Sequence, residues 1–133
     1  MAYLKQRWFT AKVFNKFAMT TGLFGTKTLT ITRRSSGQPQ QIPVLTVDVD
    51  GAKYLVSTRG ESQWVKNVRA RPQVTLSVSG RTVEYTAAEI PVEQRAPVLA
   101  AFRKRAGKTV DGYFRKLPDP ADHPVFTLTA APQ

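Results

Sequence analysis

The sequence has no cysteine and a single histidine, His123. Without thiols there is no disulfide framework, no thiol nucleophile and no thiolate metal site, and one imidazole excludes a multi-histidine zinc cluster. Acidic residues are scarce as well: 9 Asp+Glu stand against 20 Lys+Arg for a formal net charge of +11, and none of the nine precedes Asp48. No run of about 18 apolar residues is available for a membrane-spanning helix. The opening stretch is interrupted by Lys5, Arg7, Lys12 and Lys16, so it does not read as a signal peptide. The expectation is a cytoplasmic protein, and 133 residues suit one compact domain.

Catalytic side chains are also few. There is no Gly-x-Ser-x-Gly elbow with an ordered Ser-His-Asp set, no matched pair of carboxylates, no Gly-x-x-x-x-Gly-Lys-Ser/Thr loop and no Gly-x-Gly-x-x-Gly after a strand. A chain so equipped binds something, or lets a cofactor supply the reactive atom. Its charge favours an anionic partner: nucleic acid, a lipid surface, or a small ligand carrying phosphates or carboxylates. Besides the cations that precede Asp48, Arg103, Lys104 and Arg105 cluster on a predicted helix, and Arg59 to Arg71 form a third basic group around Trp64 and Asn67.

Residues 3 to 20 follow helical periodicity, with Tyr3, Trp8, Phe9, Phe14 and Phe17 on a broad apolar arc and Lys5, Lys12 and Lys16 on a narrow stripe. Such a helix packs on a core or lies on an anionic membrane, and Thr20 to Gly25 ends it. From Lys27 the period becomes two: Leu29 and Ile31 alternate with Thr28, Thr30 and Thr32. Gln41 to Asp48 reads as a second strand, and Asp50-Gly51 as the turn of a hairpin that returns over Ala52 to Thr58. Ser79-Gly80 joins Val74–Val78 to Thr82–Ala87 in the same way, and Pro124 to Thr129 adds a last strand. Helices are expected over Ser62 to Arg71, which stops before Pro72, and from Pro91 to about Ala106, with Pro97 starting the regular part. Hairpins with inserted helices and no βαβ units argue for an α+β protein, mainly β, whose antiparallel sheet closes into a small barrel. His123, at the entry to the last strand, reads as a structural histidine.

Two segments have the composition of ligand loops. In Thr32-Arg33-Arg34-Ser35-Ser36-Gly37-Gln38-Pro39 a strand ends in guanidinium and hydroxyl groups where the backbone turns, a donor set suited to phosphate. In Ser57-Thr58-Arg59-Gly60-Glu61-Ser62-Gln63-Trp64-Val65-Lys66-Asn67 a strand feeds a helix N-terminus beside Arg59. Trp64 serves equally as a core anchor or as a wall for a planar ring.

Together these segments resemble the deazaflavin-dependent nitroreductase family, a branch of the split β-barrel flavin and deazaflavin oxidoreductases. The resemblance is carried by TITRRSSGQPQQIP (Thr30 to Pro43), YLVSTRGESQWVKNVRARP (Tyr54 to Pro72) and His123 to Leu128, in matching order over about residues 27 to 129. It implies an FMN-binding-like split barrel over 27–129 with an N-terminal helix in 1–25, and coenzyme F420 as cofactor, with FMN the runner-up. By motif position, Arg34, Ser35 and Ser36 would hold the phosphate region. Gln40, Gln41, Ile42 and Pro43, with Val56, Ser57, Thr58 and Arg59, would flank the ring through backbone groups. Gln63, Trp64 and Asn67 would close the site, and Tyr113 resembles a substrate-pocket tyrosine. The sequence departs from the family pattern at Ser35, where many relatives carry Lys, and at Gln40, where many carry a basic residue. The implied reaction is hydride transfer from the reduced deazaflavin to an electron-poor acceptor: a quinone, a nitroaromatic or an activated C=C bond. A hydrophobic acceptor would suit peripheral membrane contact through residues 1–20, on the inner face of the cell membrane, and a homodimer would be compatible with the pocket. A basic nucleic-acid-binding barrel is the alternative from another class. It is disfavoured by the few strand aromatics, Tyr54 and Tyr85, available for stacking. A haem, FMN or lipid binder without turnover is the other.

Overall fold

A computed structural model describes residues 26–130. The helix expected over residues 3 to 20, and the turn after it, lie outside the described residues. Seven strands follow: β1 (Lys27–Thr32), β2 (Pro39–Val44), β3 (Thr46–Val49), β4 (Ala52–Val56), β5 (Gln73–Val78), β6 (Arg81–Glu89) and β7 (Val125–Ala130). The α-helices are α1 (Gln63–Ala70) between β4 and β5, and α2 (Ala96–Ala106) and α3 (Asp111–Lys116) between β6 and β7.

Both expected hairpins form, and for the expected reason. Asp50 and Gly51 have φ of 51° and 82°, and Ser79 and Gly80 have 50° and 83°, the paired positive angles that let a two-residue turn match the twist of its strands. Val49 therefore faces Ala52, and Val78 faces Arg81. The sheet order is β2-β1-β5-β6-β7-β4-β3, antiparallel throughout. Its two edge strands, β2 and β3, are consecutive in the chain with Leu45 alone between them. The sheet must therefore curl until its edges meet at that residue, where the connection is covalent and not a ladder of hydrogen bonds, which makes a split barrel.

This corrects the single strand expected over Gln41 to Asp48. Val44 pairs with Lys27, the first residue of β1, so beyond it the chain has no first partner left and takes β4 instead. The helix expected from Pro91 is a 3-10 turn (Val92–Gln94) followed by α2, with Pro97 in its first turn and Gly107 at φ 67° ending it. α3 was not foreseen, because its six residues are too few to show a period.

The strands alternate between two cores. Leu29, Ile31, Leu55, Val74, Leu76, Phe126 and Leu128 fill the barrel interior, which α1 covers with Val65 and Val68. On the other face of β3, β4 and β7, residues Val47, Val56 and Val125 pack against Val98, Leu99 and Phe102 of α2 and Phe114 of α3. Each such side chain removed from water contributes about 1.5–3 kcal/mol, so α1 is fixed to the barrel by burial and not by its propensity. His123 is completely buried, stacks on Phe114 at 4.2 Å and 20°, and sets its ring nitrogens 2.9 Å from the Ser57 carbonyl and 2.5 Å from that of Leu117. It is the structural histidine expected.

Candidate functional site

The turn after β1 is closed by its own backbone. The Arg33 amide donates to the Gln38 carbonyl at 2.9 Å and the Gly37 amide to the Arg33 carbonyl at 3.0 Å, with Gly37 at φ 74°. The Ser36 hydroxyl accepts from the Gln38 amide at 3.2 Å, and the Arg33 guanidinium donates to the Pro39 carbonyl at 2.8 Å. Arg34 is thereby presented to α1. One turn apart on that helix, Gln63 and Asn67 share a face. Arg34 donates from Nη2 to Gln63 Oε1 at 2.9 Å, from Nη1 to Asn67 Oδ1 at 2.8 Å, and from its backbone amide to the same oxygen at 3.1 Å. Asn67, 4% exposed, completes the lock by donating Nδ2 to Gln40 Oε1 at 2.8 Å.

These partners are neutral amides. They fix the guanidinium without cancelling its charge, so the turn keeps a positive potential. Ser62, the N-cap of α1, adds to it. Its hydroxyl makes no capping bond, is buried with the residue 4% exposed, and has no hydrogen-bond partner among the described residues. The amides of the first helical turn of α1 point out of its N-terminus, as they must. A buried hydroxyl without a partner costs about 1–3 kcal/mol.

The expected site residues therefore divide. Arg34, Gln40, Gln63 and Asn67 are brought together by hydrogen bonds although 33 residues separate the outermost bonded pair. Ser35 and Ser36 are exposed on the turn beside them, and Thr58 and Arg59 are half-buried. Gln41 points to the opposite face of β2 from Gln40 and reaches Thr30 Oγ1 at 3.4 Å, while Ile42 packs on the barrel core. Pro43 is half-buried opposite Thr28. β2 is an edge strand, so one side of its backbone faces away from the ladder. Val56 belongs to the second core, and Ser57 is consumed by the fold: its amide donates to the Pro124 carbonyl and its hydroxyl to the Gly60 carbonyl. Trp64, half-buried, packs one side on the first core with its ring 5.9 Å from Phe126. Tyr113 packs against the second core, apart from the Arg34 network.

Sequence reasoning did not single out Ser62 as a site residue, since nothing in its neighbours shows that the cap bond is missing. Nor did it find that Arg69, counted with the basic cluster, is taken up by Glu61 and Glu89. A groove of about 470 Å³ opens beside the same turn, between Thr32, Gly37 and Pro39 and the strand positions Gln73, Thr75, Glu84 and Thr86. Its lining mixes threonine hydroxyls with apolar surface from Ile31, Val74 and Tyr85 and carries one carboxylate and no cation, so it does not suit an anion.

Similar folds are found among solved structures. An F420-H2-dependent reductase matches with a TM-score of 0.60 at 23% identity, covering 78% of this chain and 93% of that one. HutZ, a haem storage protein from Vibrio cholerae, matches with a TM-score of 0.63 at 16% identity, covering 84% and 85%. A protein described as a domain-swapped dimer matches with a TM-score of 0.60 at 21% identity, covering 90% and 93%. These likenesses establish the split-barrel fold. Comparison with curated protein sequences gave no match. The family profile of F420H(2)-dependent quinone reductase matches residues 5–116, most of the chain. With the turn, helix and barrel in the arrangement that its sequence motifs implied, the chain belongs to the F420H2-dependent quinone reductase family, whose members are F420H2-dependent reductases.

Proposed function

We propose that the protein binds coenzyme F420 along the β1–β2 turn and the N-terminus of α1, and uses its reduced form to reduce a hydrophobic, electron-poor acceptor. Quinones come first, with nitroaromatics and activated C=C bonds in the same class. The observation that carries this reading is the Arg34 guanidinium, locked by Gln63 and Asn67 and left with its charge uncompensated.

The donor set fits the group. A tail carrying a phosphate and several carboxylates needs fixed cations and amide or hydroxyl donors, and Arg34, Ser35, Ser36 and the first turn of α1 supply them. A planar ring needs polar backbone beside apolar surface, which the edge strand β2 offers at Gln40 to Pro43 next to Ile42. From the segment Val56 to Arg59, contacts would come from Thr58 and Arg59, since Val56 and Ser57 are spent on the fold. When bound, the deazaflavin supplies the hydride. The chain's own work is to hold the tail, orient the ring and keep water from its reactive face, with the proton for the reduced acceptor drawn from solvent or a nearby hydroxyl.

The test is oxidation of F420H2 by menadione or a cyclic enone, with tryptophan quenching to follow cofactor binding. Arg34→Ala is expected to weaken binding about 10- to 100-fold, the range of a charge-assisted hydrogen bond, while costing folding only about 1 kcal/mol or less, because the two bonds it loses are exposed or part-buried and the Arg34 amide still satisfies Asn67 Oδ1. Equal loss of binding and stability, or tighter binding of FMN or haem than of F420, would refute the assignment. Membrane contact through residues 1–20 and a homodimer belong to the same proposal. They are tested by vesicle co-sedimentation with and without those residues and by the mass in solution. Among the described residues no helix is long and apolar enough to cross a membrane.

A further inference from the structure

An ion-pair chain runs beneath the site and has no part in the cofactor reading. Glu89, the last residue of β6, receives the fork of Arg69 on both oxygens, Nε to Oε1 and Nη2 to Oε2, each at 2.8 Å. The remaining terminal nitrogen of Arg69 pairs with Glu61, the residue before the N-cap of α1. The same Oε2 of Glu89 also accepts from Arg95 Nη2 at 3.0 Å, and Arg95 is itself held by the carbonyls of Ile90 at 3.2 Å and Pro120 at 3.1 Å. The charges alternate along Arg95, Glu89, Arg69 and Glu61, and the chain runs from a side chain 7% exposed to a loop carboxylate 18% exposed. Such partly desolvated pairs couple more strongly than surface pairs do.

At Glu61 this chain reaches the loop from Arg59 to Ser62. Inside the loop Ser57 Oγ donates to the Gly60 carbonyl at 2.6 Å and the Ser62 amide to the same oxygen at 2.9 Å, and Gly60 forms a β-bridge. Arg69 ties its end to β6, a different part of the barrel. The loop carries Arg59 and the buried Ser62 hydroxyl, and it opens α1. Arg69 has both hands on carboxylates, so it is not an anion ligand itself.

We infer that Arg69 is a positioning residue for the cofactor site: through Glu61 it sets the place of the Arg59–Ser62 loop, and through Glu89 it refers that place to strand β6 of the barrel. The inference rests on the reading of the site proposed above. It differs from a charge effect in one sign. Removing the Glu61 charge makes the site more positive, so long-range attraction alone would tighten an anionic ligand. Loss of loop position would weaken it.

The experiment measures the Kd for F420 by tryptophan quenching, the Tm, and amide hydrogen exchange of the cofactor-free protein, in the wild type and in Arg69→Gln, Glu61→Gln, the double variant, Arg69→Lys and Arg95→Lys. Arg69→Gln and Glu61→Gln are each expected to raise Kd about tenfold, and the double variant no further, since both cut one link. Arg69→Lys should recover part of the loss. Exchange should quicken over residues 59 to 62 without the cofactor, while the barrel strands keep their protection. Arg95→Lys should lower Tm yet leave Kd within about twofold, because it loosens the base of the chain and not the loop. Tighter binding by Glu61→Gln would overturn the inference. So would unchanged binding by Arg69→Gln beside a wild type that binds normally, or Kd values that track Tm through all variants, Arg95→Lys included. Failure of the wild type to bind F420 would instead sink the reading of the site, and the positioning role with it.

Discussion

Replacing Asn67 by Asp separates the two tasks assigned to that residue. The aspartate keeps an oxygen where Arg34 donates at 2.8 and 3.1 Å, so the turn stays locked to α1 and its guanidinium gains a charged partner. It loses the donor to Gln40 Oε1, a bond worth about 1 kcal/mol, part of which Gln40 recovers by rotating its amide. Desolvation of a carboxylate at a position 4% exposed is offset by the adjacent guanidinium, so the net change in stability is expected within about 1 kcal/mol. Binding fares differently. A phosphate held by Arg34 would sit about 6 Å from the new carboxylate, and at an effective dielectric of about 20 the repulsion is about 3 kcal/mol, or about a hundredfold in Kd. Tryptophan quenching by F420 and urea unfolding in one buffer read the two quantities. The deficit should shrink as salt is raised, since the added term is electrostatic. Asn67→Ala gives the contrast: it breaks three hydrogen bonds and should cost about 2–3 kcal/mol of stability. Normal binding by Asn67→Asp, within about threefold of the wild type, would refute the claim that an uncompensated Arg34 charge attracts the cofactor.

Three further outcomes are expected of the fold. Burial, then the nearby Lys53, holds the Lys27 amine below its ordinary 10.5 against the opposing pull of Asp48. The unfolded chain thus binds more protons between that lowered value and 10.5, and stability rises with pH through the window. Lys27→Met should abolish the rise and be more stable near neutral pH, and urea midpoints climbing alike in both proteins would refute this. His123→Phe removes the ring N–H that is donated to the buried carbonyl of Ser57 or of Leu117, according to tautomer, and should cost about 1–3 kcal/mol in urea unfolding; a loss under about 0.5 kcal/mol would show that water replaces the ring. Gly51→Ala meets no atom within 4 Å, so its cost is that of φ at 82° alone, about 1 kcal/mol, and thermal unfolding should show a fall of a few degrees and not a collapse.

The parts of this fold legible in the sequence are those that local chemistry decides. Asp50-Gly51 and Ser79-Gly80 announce their turns because few other residues take positive φ, and Pro72 ends α1 two residues after Ala70 by denying the helix an amide. The strand order was beyond reach, since the position of β7 between β6 and β4 is set by pairing across the whole chain. The break at Leu45 was hidden for the same reason: no turn residue marks it, because the chain changes partner there without changing direction sharply. In the site, the residue types of the Arg34 turn and of α1 were legible as a set of hydrogen-bond donors beside a helix N-terminus. Their mutual bonds were not, and neither was the fate of Trp64, which depends on Phe126 from the far end of the chain. Arg69 could not be told from Arg59 or Arg71 by composition, as its partners lie 8 and 20 residues away.

The structure also sorts the cations behind the charge of +11, and the sorting bears on function. Lys53, Arg69, Arg95 and Arg103 each face a carboxylate, so their fields largely cancel close at hand. Arg34 is ordered by three hydrogen bonds and faces amides. A basic surface kept for solubility alone has no use for this. Immobilising such a side chain costs up to about 2 kcal/mol of rotamer entropy, and a free lysine repels other molecules equally well. A guanidinium held still with its charge unspent is arranged in advance for an anion that arrives later, because the ordering cost has already been met in the empty protein. The Ser62 hydroxyl, buried without a partner one residue before Gln63, adds a cost of its own. The bonds of Arg34 help to fix the turn on α1, and the charge they leave unspent is the part that folding does not use and that supports the proposed binding of a phosphorylated, carboxylate-bearing cofactor.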